Sequence, residues 1–187
     1  MTAARSSIRR SFSYLDHLAG GGKIIPTDFK ARIDALRLQA LADGLMDASI
    51  LIVYEGRYRP AEKHEQKWLD LQAGKIDRAL AVLEATPPGL DAPPTIGQIT
   101  LACALGYREF RFPGTLKKSC PRLTGWLETF AARVPAFEAT KPPPASARTR
   151  LKNEKPRTGG PGLGCFVSVV VGRVRTGSSR RRAPHAW

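Results

Sequence analysis

The hydrophobic pattern is densest between residues 96 and 107. There Ile96, Ile99, Leu101, Ala102, Cys103, Ala104, Leu105, Gly106 and Tyr107 leave few polar positions. A helix that is apolar on all sides belongs at the centre of a bundle. The run is too short for the ~20 residues that cross a bilayer. It opens with Thr95-Ile96-Gly97-Gln98. In that capping-box pattern the Thr hydroxyl takes the N–H three residues on, and the Gln side chain returns to the Thr N–H. Thr95 and Gln98 are therefore assigned as a structural N-cap.

The remaining periodicity is also helical. Thr27 or Asp28 suits the N-cap of a long helix running to about Arg57. Two apolar stripes can be drawn on it. One is Phe29, Ile33, Leu36, Ala40, Gly44, Leu51 and Tyr54; the other is Leu38, Leu41, Leu45, Ala48 and Ile52. Two apolar faces predict a helix packed on its own bundle and on something else. Pro60 fits the first turn of a helix over 61–85, whose inward face is Trp68, Ile76, Ala79, Leu80 and Leu83. Pro113-Gly114 breaks the central helix. Pro121 opens another, with Leu123, Leu127, Phe130 and Val134 in register and Trp126 beside them. No alternating pattern marks a strand between 28 and 138, so the fold class is all-α, a helical bundle.

Composition divides the chain into three. The formal net charge is +14 over 187 residues. Residues 141–187 carry 11 Lys and Arg against the single acid Glu154, whereas residues 24–140 come to +1. The tail is rich in Pro, Gly and Arg, and is expected to be disordered. It has no aromatic interleaving for stacking bases, so nucleic-acid binding is not expected despite the charge. Upstream, Gly20-Gly21-Gly22 stops a short helix around Tyr14-Leu15-Asp16 and begins a linker. The expected domains are 1–26, 27–140 and 141–187.

Candidate chemistry is sparse. P-loop, GxGxxG and HExxH motifs are absent, and His17, His64 and His185 are scattered. Three widely spaced cysteines, Cys103, Cys120 and Cys165, form neither a zinc spacing nor an even disulfide set. They fit a reducing, cytoplasmic setting. Cys103 is expected to be buried in the central helix. No secretory signal and no membrane span are expected.

Several segments together resemble one family. They are Arg32 through Arg37 to Ala42-Asp43-Gly44-Leu45-Met46-Asp47-Ala48, then Pro94-Thr95-Ile96-Gly97-Gln98-Ile99, then Pro121-x-Leu123-x-x-Trp126, and finally Arg133-Val134-Pro135-Ala136-Phe137. In this order and spacing, over residues 14–140, they resemble the C-terminal all-α domain of the glutathione S-transferases. Gln98 stands where the family usually carries Asp. The resemblance implies conjugation of glutathione to small electrophiles, or their reduction, with glutathione as co-substrate and no other cofactor or metal. It also implies a homodimer contact through the 28–57 helix. By position, Ile50, Tyr54, Tyr107 and Arg111 are the electrophile-site candidates. The family's catalytic residues belong to a thioredoxin-like domain, and residues 1–26 match only that domain's last helix and linker. The expectation is thus a truncated form without its own glutathione site, with no catalytic residue assigned. A non-catalytic helical interaction module is the alternative, with nucleic-acid binding through the basic tail ranked below it.

Overall fold

The computed structural model of the protein describes residues 8–90 and 93–142. Seven α-helices lie among them: α1 (Ile8–Leu18), α2 (Phe29–Tyr58), α3 (Gln66–Ala85), α4 (Ile96–Arg111), α5 (Thr115–Ser119), α6 (Pro121–Arg133) and α7 (Pro135–Ala139). No strand occurs among the described residues, so the all-α class holds. The chain divides into two units, Met1–Arg133 and Val134–Trp187. In the second, α7 begins at Pro135 and closes with a Lys141–Glu138 ion pair. The expectations for the tail fall outside the described residues, apart from Lys141 and Pro142.

In the first unit α4 is the central element, touching α2, α5 and α6, while α3 packs on α2 and α6. Leu101, Ala102, Ala104 and Leu105 of α4 are wholly buried. The helix is not apolar-buried all round, however, because Cys103 faces outward and is exposed. The box that starts α4 is formed. Thr95 N–H donates to Gln98 Oε1 at 2.8 Å, and Gln98 N–H donates to Thr95 Oγ1 at 3.4 Å. The Gln98 amide also donates to the Gly89 carbonyl, which ties the incoming loop to the helix start.

Contact between α2 and α4 is closest at Gly97. A Cβ there would lie 2.4 Å from the Ala35 carbonyl oxygen and 2.9 Å from Leu38 Cβ. Eleven residues further along α4, Arg108 Nη1 donates to Ser49 Oγ of α2 at 3.3 Å. Both contacts advance in the same direction along both helices, so α2 and α4 run parallel.

The ends of α3 and α6 cap each other. Glu84 accepts the Arg122 and Leu123 backbone N–H groups at 2.8 Å each, which satisfies the start of α6. In return the Arg122 guanidinium donates to the Glu84 and Ala85 carbonyls at the end of α3. Trp126 Nε1 donates to the Pro88 carbonyl at 2.7 Å, holding the loop that leaves α3.

Three sequence expectations need correction. Trp68 is 40% exposed rather than inward, and the buried face of α3 is Gln72, Ile76, Ala79, Leu80 and Leu83. The helix begins at Gln66 rather than 61; Pro60 instead precedes a single 3-10 turn, Ala61–Lys63. On α2 the buried positions are Ala35, Gln39, Ala42, Leu45, Ala48, Ser49 and Glu55. Most of the first stripe is left open instead: Phe29, Ile33, Leu51 and Tyr54 are exposed, as is Tyr58 beyond it, while Leu36 packs on the core.

The glycine linker is held from within. Asp16 is 7% exposed and accepts N–H bonds from Gly22, Lys23 and Ile24 at 2.8–3.0 Å. Gly20, Gly21 and Gly22 all have positive φ; Gly20 and Gly21 N–H donate to the His17 and Asp16 carbonyls, and the next three N–H groups turn toward the Asp16 carboxylate. Ile96 N–H then donates to the Ile24 carbonyl at 2.8 Å, and Ile25 packs with Ala35, Ile96 and Phe12.

Candidate functional site

The parallel register decides which candidates share a surface. Each helical residue rotates side chains by roughly 100° and advances roughly 1.5 Å. Taking the Ser49–Arg108 contact as the meeting line, Met46 and Ile50 of α2 fall on the same side of the pair as Tyr107 and Arg111 of α4. Tyr54 lies one turn beyond Ile50, further round toward solvent, and is 42% exposed. Tyr54 also meets Tyr58 edge-on, with ring centroids 5.2 Å apart. On this register Ile50, Tyr107 and Arg111 fall on one side of the α2–α4 pair, with Tyr54 further round. Thr95 and Gln98 stand at the opposite end of α4, where their role is capping.

The C-terminal turns of α4 are rich in arginine and aromatic rings. Arg111 Cζ lies 5.4 Å from the Tyr107 ring centroid and 4.9 Å from that of Phe110. Arg108 Cζ lies 4.9 Å from the Phe112 ring. Such stacking holds a guanidinium in place without consuming its donors. Cations at a helix C-terminus also meet the negative end of its dipole. Three polar atoms here are buried without a hydrogen-bond partner: Tyr107 Oη, Arg108 Nε and Arg111 Nε. Neither arginine takes part in an ion pair among the described residues. Lost hydration pulls the Arg108 guanidinium below its usual range, and Asp77 opposes this at longer range. The last turn of α4 is therefore basic and lined with aromatic rings.

Sequence reasoning missed Arg108, Ser49 and Asp16. Arg108 reads as an ordinary basic residue in a last turn, and Ser49 as a small residue in an apolar stretch. For Asp16 a signal was present, an acid shortly before three glycines.

Neither described cysteine offers an activated nucleophile. Desolvation raises the Cys103 thiol above its usual value even though the residue reaches the surface, so little thiolate forms at neutral pH. Cys120 is buried at the end of α5. Among the described residues no group of His, Cys, Asp and Glu could hold a metal, and no helix is long and apolar enough to cross a membrane.

Comparison with known proteins places these features in a family. Residues 66–129 match a family model described as glutathione S-transferase, C-terminal domain. The uncharacterized GST-like protein YibF of Escherichia coli (strain K12) is 34% identical over 137 residues, which are 71% of this chain and 66% of that protein. The chain thus spans just under two thirds of the curated relative it matches. A glutathione transferase family member from Pseudomonas fluorescens Pf-5, solved with bound S-(propanoic acid)-glutathione, is 45% identical with a TM-score of 0.64. That match covers 72% of this chain and 69% of that one. A glutathione S-transferase from Methylobacillus flagellatus KT, solved with glutathione bound, is 30% identical with a TM-score of 0.65, covering 72% and 68%.

Proposed function

The chain belongs to the glutathione S-transferase family, and on that premise we propose that residues 27–140 form the helical half of a glutathione-dependent transferase. Its part in the reaction is the wall against which the electrophile rests. Ile50 and Tyr54 supply the apolar surface, and Tyr107 and Arg111 the polar one. Glutathione is the co-substrate, and no other cofactor enters this reading. What supports it is the 45% identity to a transferase family member solved with S-(propanoic acid)-glutathione bound, together with the helical register that puts Ile50, Tyr107 and Arg111 on one side of α2 and α4.

Conjugation requires the glutathione sulfur as thiolate. A hydrogen bond to the charged sulfur lowers the thiol pKa, and the thiolate then attacks the electrophilic carbon. No described residue is assigned that donor role, and Cys103, with its raised pKa, does not substitute for the glutathione sulfur. The proposal is therefore wall without activation. The full chain should bind S-hexylglutathione through its alkyl arm but show no conjugation of a generic aromatic electrophile above the uncatalysed rate. Calorimetric titration alongside that assay tests both parts. Binding unaffected by Ile50→Asp would remove the wall, and turnover with saturable glutathione binding would place an activating donor in this chain.

The exposed Phe29, Ile33, Leu51 and Tyr58 stripe supports a homodimer contact along α2, since an apolar face of that length is normally covered. Sedimentation should show a dimer that Ile33→Asp dissociates, and an unchanged mass would argue for the alternative, a helical module with a different partner.

A further inference from the structure

We propose that one flank of α3 is a docking surface for an acidic amphipathic helix of another protein. Carboxylates of that helix meet Lys75 and Arg78, and its apolar residues cover Trp68, Leu71 and Val82. None of these five residues belongs to the electrophile wall or to the α2 contact, so the inference stands apart from the transferase reading.

Trp68, Leu71, Lys75, Arg78 and Val82 follow one another at intervals of three, four, three and four residues. That spacing keeps them on one line along an α-helix, the arrangement by which one helix presents itself to another. At roughly 1.5 Å per residue the line is about 21 Å long, nearly four turns. All five residues are exposed, and the apolar three are 40%, 49% and 61% exposed in chain order. The face that α3 turns to the bundle is a different one, Gln72, Ile76, Ala79, Leu80 and Leu83. A line of large apolar side chains on an otherwise polar surface marks an interaction site.

Charge selects the partner. The two basic residues stand in the middle of the line, between its apolar ends, and neither forms an ion pair among the described residues. The Lys75 ammonium donates to Gln72 Oε1 in a long bond of 3.3 Å. The Arg78 guanidinium lies back over Gly74, with Nη1 3.2 Å from where a Cβ there would stand. The acids of α3 are engaged elsewhere: Asp70 accepts from Gln66, Asp77 acts on Arg108 of α4, and Glu84 accepts the N–H groups that start α6. At roughly 100° per residue these three acids fall within about 40° of one another and at least about 80° from any residue of the line. A helix with carboxylates opposite Lys75 and Arg78 complements this arrangement, and such pairs set partner choice and register.

The same line disfavours two other occupants. In an antiparallel pairing of two copies about the middle of the line, the Lys75 ammonium groups would stand face to face, like charge on like. A flat anionic bilayer would rest on the outermost edge of α3, opposite its buried face, and the exposed Asp70 lies as near that edge as Leu71 does. A helix laid along the flank meets the line alone.

The test uses the full, isotopically labelled chain and fluorescein-labelled, alanine-based helical peptides. One peptide carries leucines placed to face Trp68, Leu71 and Val82 and glutamates placed to face Lys75 and Arg78. In two others glutamine or lysine replaces the glutamates. Fluorescence anisotropy reads the affinity, and the Trp68 indole N–H signal in the nuclear magnetic resonance spectrum reads the place. The glutamate peptide should bind at least roughly tenfold more tightly than the glutamine peptide, with the lysine peptide weakest, and added salt should narrow the gap. It should also move the Trp68 signal. Lys75→Glu together with Arg78→Glu should reverse the order of the glutamate and lysine peptides. Leu71→Asp should weaken all three, and circular dichroism checks that both exposed-site variants stay folded. Equal affinity for the glutamate and glutamine peptides, no binding of any, or an order that survives the charge reversal would overturn the proposal. So would a Trp68 signal that answers only to phosphatidylglycerol vesicles, or only to raised protein concentration, since the flank would then belong to a bilayer or to a second copy.

Discussion

Gly97→Ala is the substitution to which the bundle should be most sensitive for its size. The new methyl carbon would stand 2.4 Å from the Ala35 carbonyl oxygen and 2.9 Å from Leu38 Cβ. The oxygen belongs to the backbone of α2, so no rotamer change relieves the contact. Restoring an ordinary separation requires the two helices to part by about 1 Å, at a point where Ile96 and Ala35 are buried together. Overpacking of this kind costs about 1–3 kcal/mol. Ala is itself the better helix former by about 1 kcal/mol. The obstacle is rigid, so the clash should fall at the upper end of its range and leave a net loss of about 1–2 kcal/mol. Gly44→Ala is the control, because nothing lies within 4 Å of its added carbon. It should gain about 0.5–1 kcal/mol from propensity alone. Urea denaturation followed by far-ultraviolet circular dichroism reads both. A Gly97→Ala chain as stable as the parent, or stabilised like Gly44→Ala, would refute the close approach of α2 and α4.

Gln98→Ala should cost more than Thr95→Ala, about 1–3 against about 0.5–1 kcal/mol, because Gln98 satisfies both Thr95 N–H and the Gly89 carbonyl whereas the Thr95 hydroxyl bond is long at 3.4 Å; denaturation midpoints in the reverse order would count against it. Desolvation alone would raise the Asp16 carboxyl, but N–H bonds from Ile24, Gly22, Lys23 and Ile25 outweigh it and hold the group below its usual value. Its contribution to stability is therefore present above the unfolded value of about 3.9 and is lost as pH falls through the lower folded value. Asp16→Asn should remove that part of the acid dependence, so parallel stability–pH curves for parent and variant below pH ~5 would contradict it. Ser49→Ala should cost about 1–3 kcal/mol by stripping the partly buried Arg108 of its hydrogen bond, whereas Arg108→Met removes the cation together with its need. The alanine variant should be the less stable of the two in the same denaturation experiment.

Where a short pattern carries its own physics, the sequence was sufficient. Thr95 and Gln98 declare a cap, Pro121 a helix start, and Leu123 with Phe130 a buried face; each is determined within a few residues. Trp68 illustrates the opposite case. Its size and its spacing to Ile76 suit an inward face, yet it lies near the start of α3 and is exposed, and Gln72 takes the buried position. The two stripes on α2 were equally visible, but which one faces the bundle depends on where α4 and α3 sit. The small residues that allow contact, Ala35 and Ala42, carry little hydrophobic weight of their own. Arg108 and Ser49 are 59 positions apart in the chain, and no local rule joins them. The candidates Ile50, Tyr54, Tyr107 and Arg111 came only from the resemblance to a family, as a set of residues without a geometry.

The parallel pairing of α2 and α4 is what connects that geometry to the fold. At one end Gly97 lets the backbones touch, and the Ile24–Ile96 bond pins the incoming linker at the same level. Further along, the helices meet through Ser49 and Arg108. The tight end fixes the relative rotation of the two helices, and that rotation alone decides that Ile50 and Arg111 lie on one side. Moving the contact by a single residue on either helix would turn its side chains by roughly 100° and separate the apolar wall from the cationic one. The box at Thr95 and the glycine at 97 are thus structural residues whose consequence reaches the far end of the helix, because they set the register that decides which side chains share a side there.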